Sequence, residues 1–297
     1  MPASFYAAVI ALFMSACSGS SDHSDHSDWM AGLDDMRTIA ELSIPGTHDT
    51  AARFEPSAGL AKCQNLTIAD QLAAGVRYFD LRCRHVGNQF LLYHGAVDQN
   101  QTFDEALATF YSFLDAHPSE VILASIKEEA IPSDTTRTFE ATFDSYIAQA
   151  PDRWSLAPTL PRVGDVRGKL VLLRRFARTA PLGIDATVWA DNASFSIDNA
   201  DARLRIEDEY VVTDNGAKWA AIENNITQAG AADPSTWTLT YTSGYQLMME
   251  LPNITIVSDD INARLDALLA TGTNAHVGTL VMDFVTKERV SAIVETN

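Results

Sequence analysis

Two histidines and an arginine stand where strand-like segments of the sequence end. His48 follows Ser-Ile-Pro-Gly-Thr, and His94 follows Leu-Leu-Tyr. Between them, Asp80 and Arg82 share one face of a third segment, because side chains alternate along a strand. One imidazole could remove a proton from an attacking hydroxyl, the other could protonate the leaving oxygen, and the guanidinium could hold the charge of a phosphate. These residue types predict the cleavage of a phosphodiester without a metal ion.

The composition limits the class of protein. The chain has 297 residues, of which 46% are hydrophobic and 20% charged, which is enough for a substantial core. Its 39 acidic and 21 basic residues give a formal net charge of −18. Such a charge argues against nucleic acid as a partner and against non-specific adhesion to anionic lipid, so any phosphate affinity must come from a local basic cluster. Length alone allows two domains, but α/β barrels of roughly 250 residues form one unit.

The first residues are typical of a targeting segment. The apolar run 5–14 has ten residues, too few to span a bilayer but suited to the core of a signal peptide. Small residues precede Cys17, as in a bacterial lipoprotein cleavage site, although no Lys or Arg precedes the run. We predict a signal peptide over 1–17, a flexible tether over 18–28 and a catalytic barrel over 29–297. The protein is therefore expected to be exported, either secreted or lipid-anchored at the bacterial cell envelope.

Three cysteines occur in the chain. If Cys17 is lipidated or removed, Cys63 and Cys83 remain as an even pair in an oxidising compartment. The sequence leaves two alternatives open for this pair, a disulfide or two buried thiols.

Strand-like and helix-like segments alternate from residue 29 onward. Strands are predicted over 39–44, 78–84, 90–93, 121–126, 170–173, 236–241 and 280–283. Helices are predicted over 68–76, 103–116, 135–148, 218–229, 259–270 and 289–294, whereas 179–201 is expected to be irregular. This alternation predicts an α/β fold with a parallel sheet. The number of strand-like segments favours a single, somewhat irregular TIM-type (β/α) barrel over an open sheet.

Catalytic residues of such a barrel sit at the C-terminal ends of its strands. The candidate residues that lie at or just past predicted strand ends are His48, Arg82, His94, Lys127, Arg175 and Asp283. No Gly-x-Gly-x-x-Gly follows a predicted strand, so a dinucleotide-binding fold has no support.

With these residues in place, the chain resembles the bacterial phosphatidylinositol-specific phospholipase C family. The resemblance rests on Ser-Ile-Pro-Gly-Thr-His-Asp at 43–49 and Phe-Asp-Leu-Arg at 79–82, and it runs from about Trp29 to Asp283. It implies a somewhat irregular TIM barrel that needs no cofactor. It also implies that the inositol 2-hydroxyl attacks its own phosphodiester, which gives inositol 1,2-cyclic phosphate and diacylglycerol with the advantage of an intramolecular reaction.

The resemblance implies a role for each candidate residue. His48 would be the general base, oriented by Asp283, and His94 the general acid, with Asp49 as its carboxylate partner. Arg82 would bind the phosphate. The remaining residues would form the substrate-binding group, in which Asp80 holds Arg82 in place and Arg174 is a less favoured alternative to Arg175: Lys127, Arg175, Asp208, Tyr210, Trp189 and Asp80.

The implied substrate is phosphatidylinositol or a glycosylated inositol phospholipid at a membrane surface, and the protein is expected to be a monomer. Relatives insert exposed tryptophans into the membrane, but residues 56–60 contain none, so weaker anchoring is expected. The apolar run 245–252 is either an interfacial contact or part of the core. No metal requirement is expected, because the guanidinium of Arg82 stands near the place where eukaryotic relatives bind calcium.

Two alternatives remain. A metal-dependent barrel phosphodiesterase acting on glycerophosphodiesters or sphingolipids would need several carboxylates around a cation, and Arg82 argues against it. A catalytically silent surface protein that binds inositol headgroups would not need two histidines with carboxylate partners.

Overall fold

Strands and helices alternate along the chain, as its apolar periodicity predicts. The computed structural model describes residues 26–56, 60–231, 233–272 and 276–297, so the predicted signal peptide and residues 18–25 of the predicted tether lie outside the described residues. The strands are β1 (Ile44–Thr47), β2 (Tyr78–Val86), β3 (Gln89–His94), β4 (Val97–Thr102), β5 (Ile122–Ser133), β6 (Trp154–Ser155), β7 (Leu170–Arg175), β8 (Ile184–Asp185), β9 (Ala193–Asp198), β10 (Arg203–Asp208), β11 (Thr236–Tyr241), β12 (Gln246–Met248), β13 (Leu251–Asn253) and β14 (Thr279–Met282). The helices are α1 (Ile68–Ala74), α2 (Phe103–Ala116), α3 (Phe139–Gln149), α4 (Val163–Val166), α5 (Asn215–Ala231), α6 (Thr255–Ala270) and α7 (Lys287–Val294).

The main sheet has the curvature and topology of an irregular TIM-type barrel. Its strands follow the order β6, β7, β5, β2, β1, β14, β11, β10, β9. All neighbours in this order are parallel except β10 and β9, which are antiparallel. Within the described residues, no strand ladder joins β9 to the β6–β7–β8 side, so an open seam remains. Residues 176–192 connect the two sides of this seam.

Alternate residues of the strands pack into two separate layers of the core. On β2, Phe79 and Leu81 belong to a cluster that also contains Phe110 of α2, whereas Tyr78 packs with Trp237 in a cluster on the other face of the sheet. The first layer fills the space between sheet and helices, and the second fills the inside of the barrel. This is the arrangement that the period of two along a barrel strand requires.

Local signals at helix ends explain why several predictions are accurate. The predicted helix 103–116 is confirmed, because Thr102 accepts a hydrogen bond from the Glu105 amide while the Glu105 carboxylate accepts one from the Thr102 amide. Helix α1 ends at Gly75, whose φ of 109° is a left-handed value that favours glycine. A Cβ there would lie 2.9 Å from His26, so the tight turn into β2 requires glycine.

Three features differ from the sequence-based expectations. The strand predicted over 39–44 is wrong at its start, because Thr38 and Glu41 form a capping box that tightens Ile39–Glu41 into a 3-10 turn. Residues 179–201 are not irregular throughout, since they contain β8 and β9. Strand β10 was not predicted, because its charged residues mask the apolar alternation of Leu204 and Ile206.

The position of His94 is a fourth correction. Its strand, β3, pairs antiparallel with β2 and β4 in a meander that is attached to the barrel. The prediction that all six candidates follow strands of the parallel sheet is therefore wrong for His94. The turn Gly95 then leads straight into β4.

Both described cysteines are free thiols. Cys83 is buried in the layer between sheet and helices, whereas Cys63 packs with Ala52 and Ile254 in a separate small cluster. The alternative of two buried thiols is the one that the structure contains. Among the described residues, no helix is both long and apolar enough to span a membrane.

Candidate active site

His48 and Asp283 form a hydrogen-bonded pair at the C-terminal ends of two paired strands. Thr47 of β1 lies opposite Met282 of β14, so the next residue of each strand is also adjacent. The His48 Nδ1–H donates to Oδ1 of Asp283 at 2.8 Å, and both side chains are buried. This bond fixes the ring orientation and leaves Nε2 as the nitrogen that can accept a proton.

A buried glutamine locks these two strand ends together. Nε2 of Gln64 donates to the carbonyl oxygens of His48 and Met282, each at 2.8 Å. Its Oε1 accepts a hydrogen bond from the Val285 amide at 3.3 Å. Gln64 was not predicted as a residue of the site. Its side-chain amide, with two donors and an acceptor, is well suited to bridging backbone groups.

His94 faces His48 across the site. The two ring centroids are 6.3 Å apart, with the planes at 87°. Nδ1 of His94 donates to the carbonyl oxygen of Ala61 at 2.7 Å. Burial and the charge of Arg82 lower the pKa of His94, so the ring gives up its proton readily.

The predicted carboxylate partner of His94 lies nearby but is not hydrogen-bonded to it. Oδ2 of Asp49 is 3.8 Å from Nδ1 of His94 and 3.8 Å from Nε of Arg82. Burial raises the pKa of Asp49 to about 8, against the opposing effect of Arg82. Asp49 is therefore a close neighbour of His94, while the Ala61 carbonyl sets the direction of the ring.

Arg82 is surrounded by three carboxylates. Its Nε donates to Asp80 at 3.0 Å, its Nη1 to Glu129 at 3.5 Å, and Asp49 is the third. Burial alone would lower the pKa of Arg82, but these carboxylates raise it well above its usual value. In turn, burial opposes ionisation of Asp80, yet Arg82 and Arg175 hold its pKa below the usual range. The site therefore keeps a permanent positive charge in the cavity that both histidines line.

Most residues of the predicted substrate-binding group line the same cavity as the two histidines, and its volume is about 440 Å³. The guanidinium of Arg175 lies 3.7 Å from the centroid of the Trp189 ring, and Trp189 Nε1 donates to Asp208 at 2.9 Å. Arg174 points elsewhere and pairs with Asp185 at 2.7 Å, so Arg175 is the arginine of the site. The predicted residues that line the cavity are His48, Arg82, His94, Lys127, Arg175, Trp189, Asp208, Tyr210 and Asp283.

Two predicted residues do not line the cavity. Asp49 and Asp80 are both almost completely buried beneath it. Asp80 contacts Arg82 and also Arg175, whose Nη1 lies 3.4 Å from Oδ1. Asp80 is therefore a residue that positions two arginines rather than one that reaches a bound molecule.

Two acidic residues of the cavity wall were missed from the sequence. Glu129 pairs with Lys127 at 2.8 Å and accepts a hydrogen bond from the Gly95 amide at 3.1 Å. Burial disfavours its charge, but Arg82 and Lys127 lower the pKa of Glu129 to about 2. Asp191 accepts the hydroxyl of Tyr210 at 2.6 Å. The spacing Lys127-x-Glu129 on one strand face was the available signal for the first; nothing local marks Asp191.

The fold and the site define a class of protein: an α/β barrel with a paired-histidine, arginine-centred site at the C-terminal ends of its strands. The model of the family "Phosphatidylinositol-specific phospholipase C, X domain" matches residues 47–176, which include both histidines and Arg82. Over these residues the chain is similar to that family.

Individual proteins of known sequence show the same similarity. A 1-phosphatidylinositol phosphodiesterase of Staphylococcus aureus (strain Newman) is 33% identical over 199 residues, which cover 62% of this chain and 64% of the relative. The chain thus spans less than two thirds of that protein's length. A 1-phosphatidylinositol phosphodiesterase of Listeria monocytogenes is 28% identical over 281 residues, which cover 91% of this chain and 84% of the relative.

Solved structures extend the similarity to nearly the whole described chain. A phosphatidylinositol-specific phospholipase C variant from Staphylococcus aureus superposes with a TM-score of 0.83 at 26% identity, covering 92% of this chain and 98% of that one. The Listeria monocytogenes phosphatidylinositol-specific phospholipase C gives a TM-score of 0.74 at 26% identity, with coverages of 92% and 99%. The predicted TIM-type barrel is thereby confirmed.

Proposed function

We propose that this protein is a phosphatidylinositol-specific phospholipase C that cleaves its substrate by intramolecular attack. The observation that carries the proposal is the placement of two oriented imidazoles, 6.3 Å apart, in a cavity that the Arg82 guanidinium also lines. A phosphodiester seated at this guanidinium has one imidazole on the side of the attacking hydroxyl and another on the side of the leaving oxygen. General acid–base catalysis needs this opposition of the two groups.

The reaction is a transfer of the phosphoryl group within the substrate. His48 Nε2 takes the proton of the inositol 2-hydroxyl, and that oxygen forms a bond to phosphorus. The bond between phosphorus and the glycerol oxygen breaks, and His94 donates a proton to this oxygen. The products are inositol 1,2-cyclic phosphate and diacylglycerol, and no covalent enzyme intermediate is needed because the nucleophile belongs to the substrate.

The electrostatics of the site favour this direction of proton transfer. Burial and Arg82 lower the pKa of His94 in the empty site. A phosphate bound at Arg82 neutralises the guanidinium, so binding removes one cause of that lowering and favours the protonated ring. Bound substrate therefore favours the protonated form of His94, which is the form that a general acid needs. Asp283 stabilises the imidazolium that forms on His48.

Arg82 also supports a reaction without a metal ion. Its guanidinium already occupies the space between the carboxylates of Asp80, Asp49 and Glu129. Calcium would need several of these oxygens as ligands, and a fixed positive charge at their centre repels it. The same guanidinium supplies the charge that a metal would bring to the phosphate.

The remaining cavity residues suit a polyhydroxylated ring. Trp189 and Tyr210 offer flat apolar surfaces, and the carboxylate of Asp208 and the cations of Lys127 and Arg175 offer acceptors and donors for hydroxyl groups. We propose that the substrate is phosphatidylinositol or a glycosylated inositol phospholipid, and that the protein acts on it as an exported monomer.

We also propose that the β12–β13 hairpin meets the membrane surface. Leu247 and Met249 are 61% and 91% exposed, so the run 245–252 is not core. The flanking residues Tyr245 and Ile254 line the cavity, which places the hairpin beside its mouth. An exposed apolar hairpin at this position can enter the headgroup region while the cavity receives the headgroup.

The test is phosphorus NMR of mixed phosphatidylinositol micelles incubated with the protein, with and without excess EDTA. The proposal expects a cyclic phosphate signal that survives chelation and disappears in His48→Ala. Activity that EDTA abolishes would overturn the role assigned to Arg82. No turnover under any condition, with headgroup binding retained, would favour a silent binding protein.

A further inference from the structure

A buried thiol lies between the two histidine sites. Cys63 is fully buried, and its Sγ is 3.6 Å from Nδ1 of His94. The same sulfur lies within 4.8 Å of a ring nitrogen of His48 and of a carboxylate oxygen of Asp283. It is also within 4.8 Å of the Asp49 carboxylate. Cys63 is thus the side chain shared by the surroundings of the proposed base and the proposed acid.

One carboxylate oxygen beside this thiol needs a donor. Oδ1 of Asp283 accepts the hydrogen bond of His48, but Oδ2 is buried and has no hydrogen-bond partner among the described residues. An unsatisfied buried carboxylate oxygen is costly. A thiol is a weak donor, but it can donate only while it keeps its proton. Burial, together with the charges of Asp283 and Asp49, raises the pKa of Cys63 well above its usual value, so the proton stays on sulfur.

The backbone holds Cys63 in fixed relation to both sites. Its amide donates to Ala52 O at 2.8 Å, and its carbonyl accepts the amide of Phe284, the residue after Asp283, at 2.7 Å. Two residues earlier, the Ala61 carbonyl accepts the hydrogen bond of His94. The carbonyl of Ala61 therefore contacts His94, and the carbonyl of Cys63 contacts the segment that follows Asp283.

We propose that Cys63 is a positioning residue, whose S–H donates to Oδ2 of Asp283. The effect on turnover rests on the proposed function, whereas the effect on His48 does not. A donor on Asp283 satisfies part of the carboxylate charge and places the positive end of a dipole near His48. Both effects weaken the interaction of Asp283 with a protonated ring at His48, so removal of the thiol should strengthen that interaction.

Other groups that face His48 set the background for this effect. They are Asp283 after β14, Asp49 in the turn after β1, Asp80 and Arg82 on β2, His94 at the end of β3 and Tyr241 on β11. Substitution of Cys63 leaves all of them in place, so a change in the titration of His48 reports the thiol.

The first test needs no substrate. An NMR titration follows the His48 ring in wild type, Cys63→Ala and Cys63→Ser, with His48→Ala to assign the signal. The midpoint should rise by about half a unit to one unit in Cys63→Ala, the equivalent of one lost hydrogen bond. Cys63→Ser keeps a donor, so its midpoint should equal the wild-type value or lie below it. Cys83→Ala, which removes the other buried thiol, should leave the midpoint unchanged.

The kinetic test separates positioning from damage to the fold. In Cys63→Ala the acidic limb of the kcat/KM profile should move to higher pH by the same shift, with Cys63→Ser restoring it. An equal loss at every pH, or a His48 midpoint that moves alike in the Ala and Ser variants, would overturn the proposal. If Cys63→Ala does not fold, the isosteric pair Cys63→Thr and Cys63→Val supplies the same comparison with and without a donor. If the midpoint of His48 changes as expected but the wild-type protein has no phospholipase activity, only the proposed function is overturned.

Discussion

The imidazole rings of His48 and His94 lie 6.3 Å apart and nearly perpendicular, although they come from different parts of the sheet. His48 follows a strand of the parallel barrel, and His94 ends a strand of the attached antiparallel meander. Both rings line the same cavity as Arg82, so a phosphate bound at Arg82 can be reached from both parts of the sheet. The meander is therefore the addition that turns a barrel end into a two-sided acid–base site.

The hydrogen-bonded pair of His48 and Asp283 should behave as one functional unit. His48→Ala should lower kcat/KM by about 10²–10⁴-fold, because it removes general base catalysis. Asp283→Asn should cost a similar factor, since an amide that donates to Nδ1 favours the wrong ring tautomer. Added to His48→Ala, Asp283→Asn should then cost little. Steady-state kinetics on phosphatidylinositol micelles checks this, with His117→Ala, whose ring pairs with exposed Asp28, as the control. A full second loss in the double variant would contradict the pairing.

The shape of the guanidinium should matter as well as its charge. Arg82→Lys keeps a cation but loses the planar fork that contacts Asp80 and Glu129 and faces the phosphate. We expect kcat to fall by about 10²-fold or more, in line with the loss of an oriented charge donor in a transition state. Arg84→Lys, two residues along the same strand, should leave kcat near the wild-type value. Equal rates for the two variants would show that only the charge counts.

The buried carboxyl of Asp49 should make stability depend on pH. Burial raises its pKa from 3.8 to about 8, so the folded protein holds a proton that the unfolded chain releases. The free energy of unfolding therefore contains a contribution that falls as the pH rises from the ordinary carboxyl range to about 8 and is constant above it.

The isosteric variant Asp49→Asn lacks this proton. Urea denaturation of both proteins from about pH 5 to about pH 9 should show the wild type losing stability relative to Asp49→Asn as the pH increases. A difference between them that is independent of pH would mean that Asp49 is ionised throughout this range.

The β12–β13 hairpin should govern membrane binding without affecting the chemistry. Leu247→Ser combined with Met249→Ser should weaken sedimentation with phosphatidylinositol-containing vesicles by about tenfold or more, because two apolar side chains no longer enter the bilayer surface. Activity on a monomeric, short-chain substrate should be unchanged. Met36→Ser removes an exposed methionine that does not line the cavity and should have no effect on binding. Vesicle binding that survives the double substitution would place the membrane contact elsewhere.

A buried ion pair supports the strand that carries Asp208. Lys218 donates to Glu207 and to the Tyr241 carbonyl, each at 2.7 Å, and both charged residues are buried. Lys218→Met should lower the free energy of unfolding by about 3–5 kcal/mol, because it leaves an unpaired carboxylate in the interior. Lys218→Met combined with Glu207→Leu should cost less than the single change. Thermal or urea denaturation measures both, and a larger loss in the double variant would contradict this account.

The parts of the fold that follow from the sequence are those with a local cause. Helix α2 has its capping box and apolar stripe within one segment, and β11 is a run of apolar and β-branched residues bounded by polar ones. The residues of β10 gave no such indication, because the buried Glu207 is charged and pairs with Lys218 on the following helix, α5. An ion pair between two elements does not show in a pattern of apolar residues.

The site shows the same division. His48, Arg82 and His94 lie in short sequence motifs from which their chemistry was predicted. In the structure all three line one cavity. Asp49 was predicted as the carboxylate partner of His94 and lies 3.8 Å from its ring, but the hydrogen bond of the ring to the Ala61 carbonyl was not predicted. Cys63 and Gln64 were not predicted to contact either histidine. They lie in the irregular segment between β1 and α1, and only tertiary packing brings this segment to the strand ends.

The N-terminal end of the described chain is fixed at the opposite end of the barrel from the cavity. The carbonyl oxygens of His26 and Ser27 accept hydrogen bonds from Arg77, which immediately precedes β2, whereas Arg82 lies further along that strand at the cavity. A copy tethered through its first residues would thus present its catalytic face away from the surface that anchors it. If the expected lipid attachment exists, the barrel would have to turn on its flexible tether before the cavity and the β12–β13 hairpin could meet the membrane that carries the anchor.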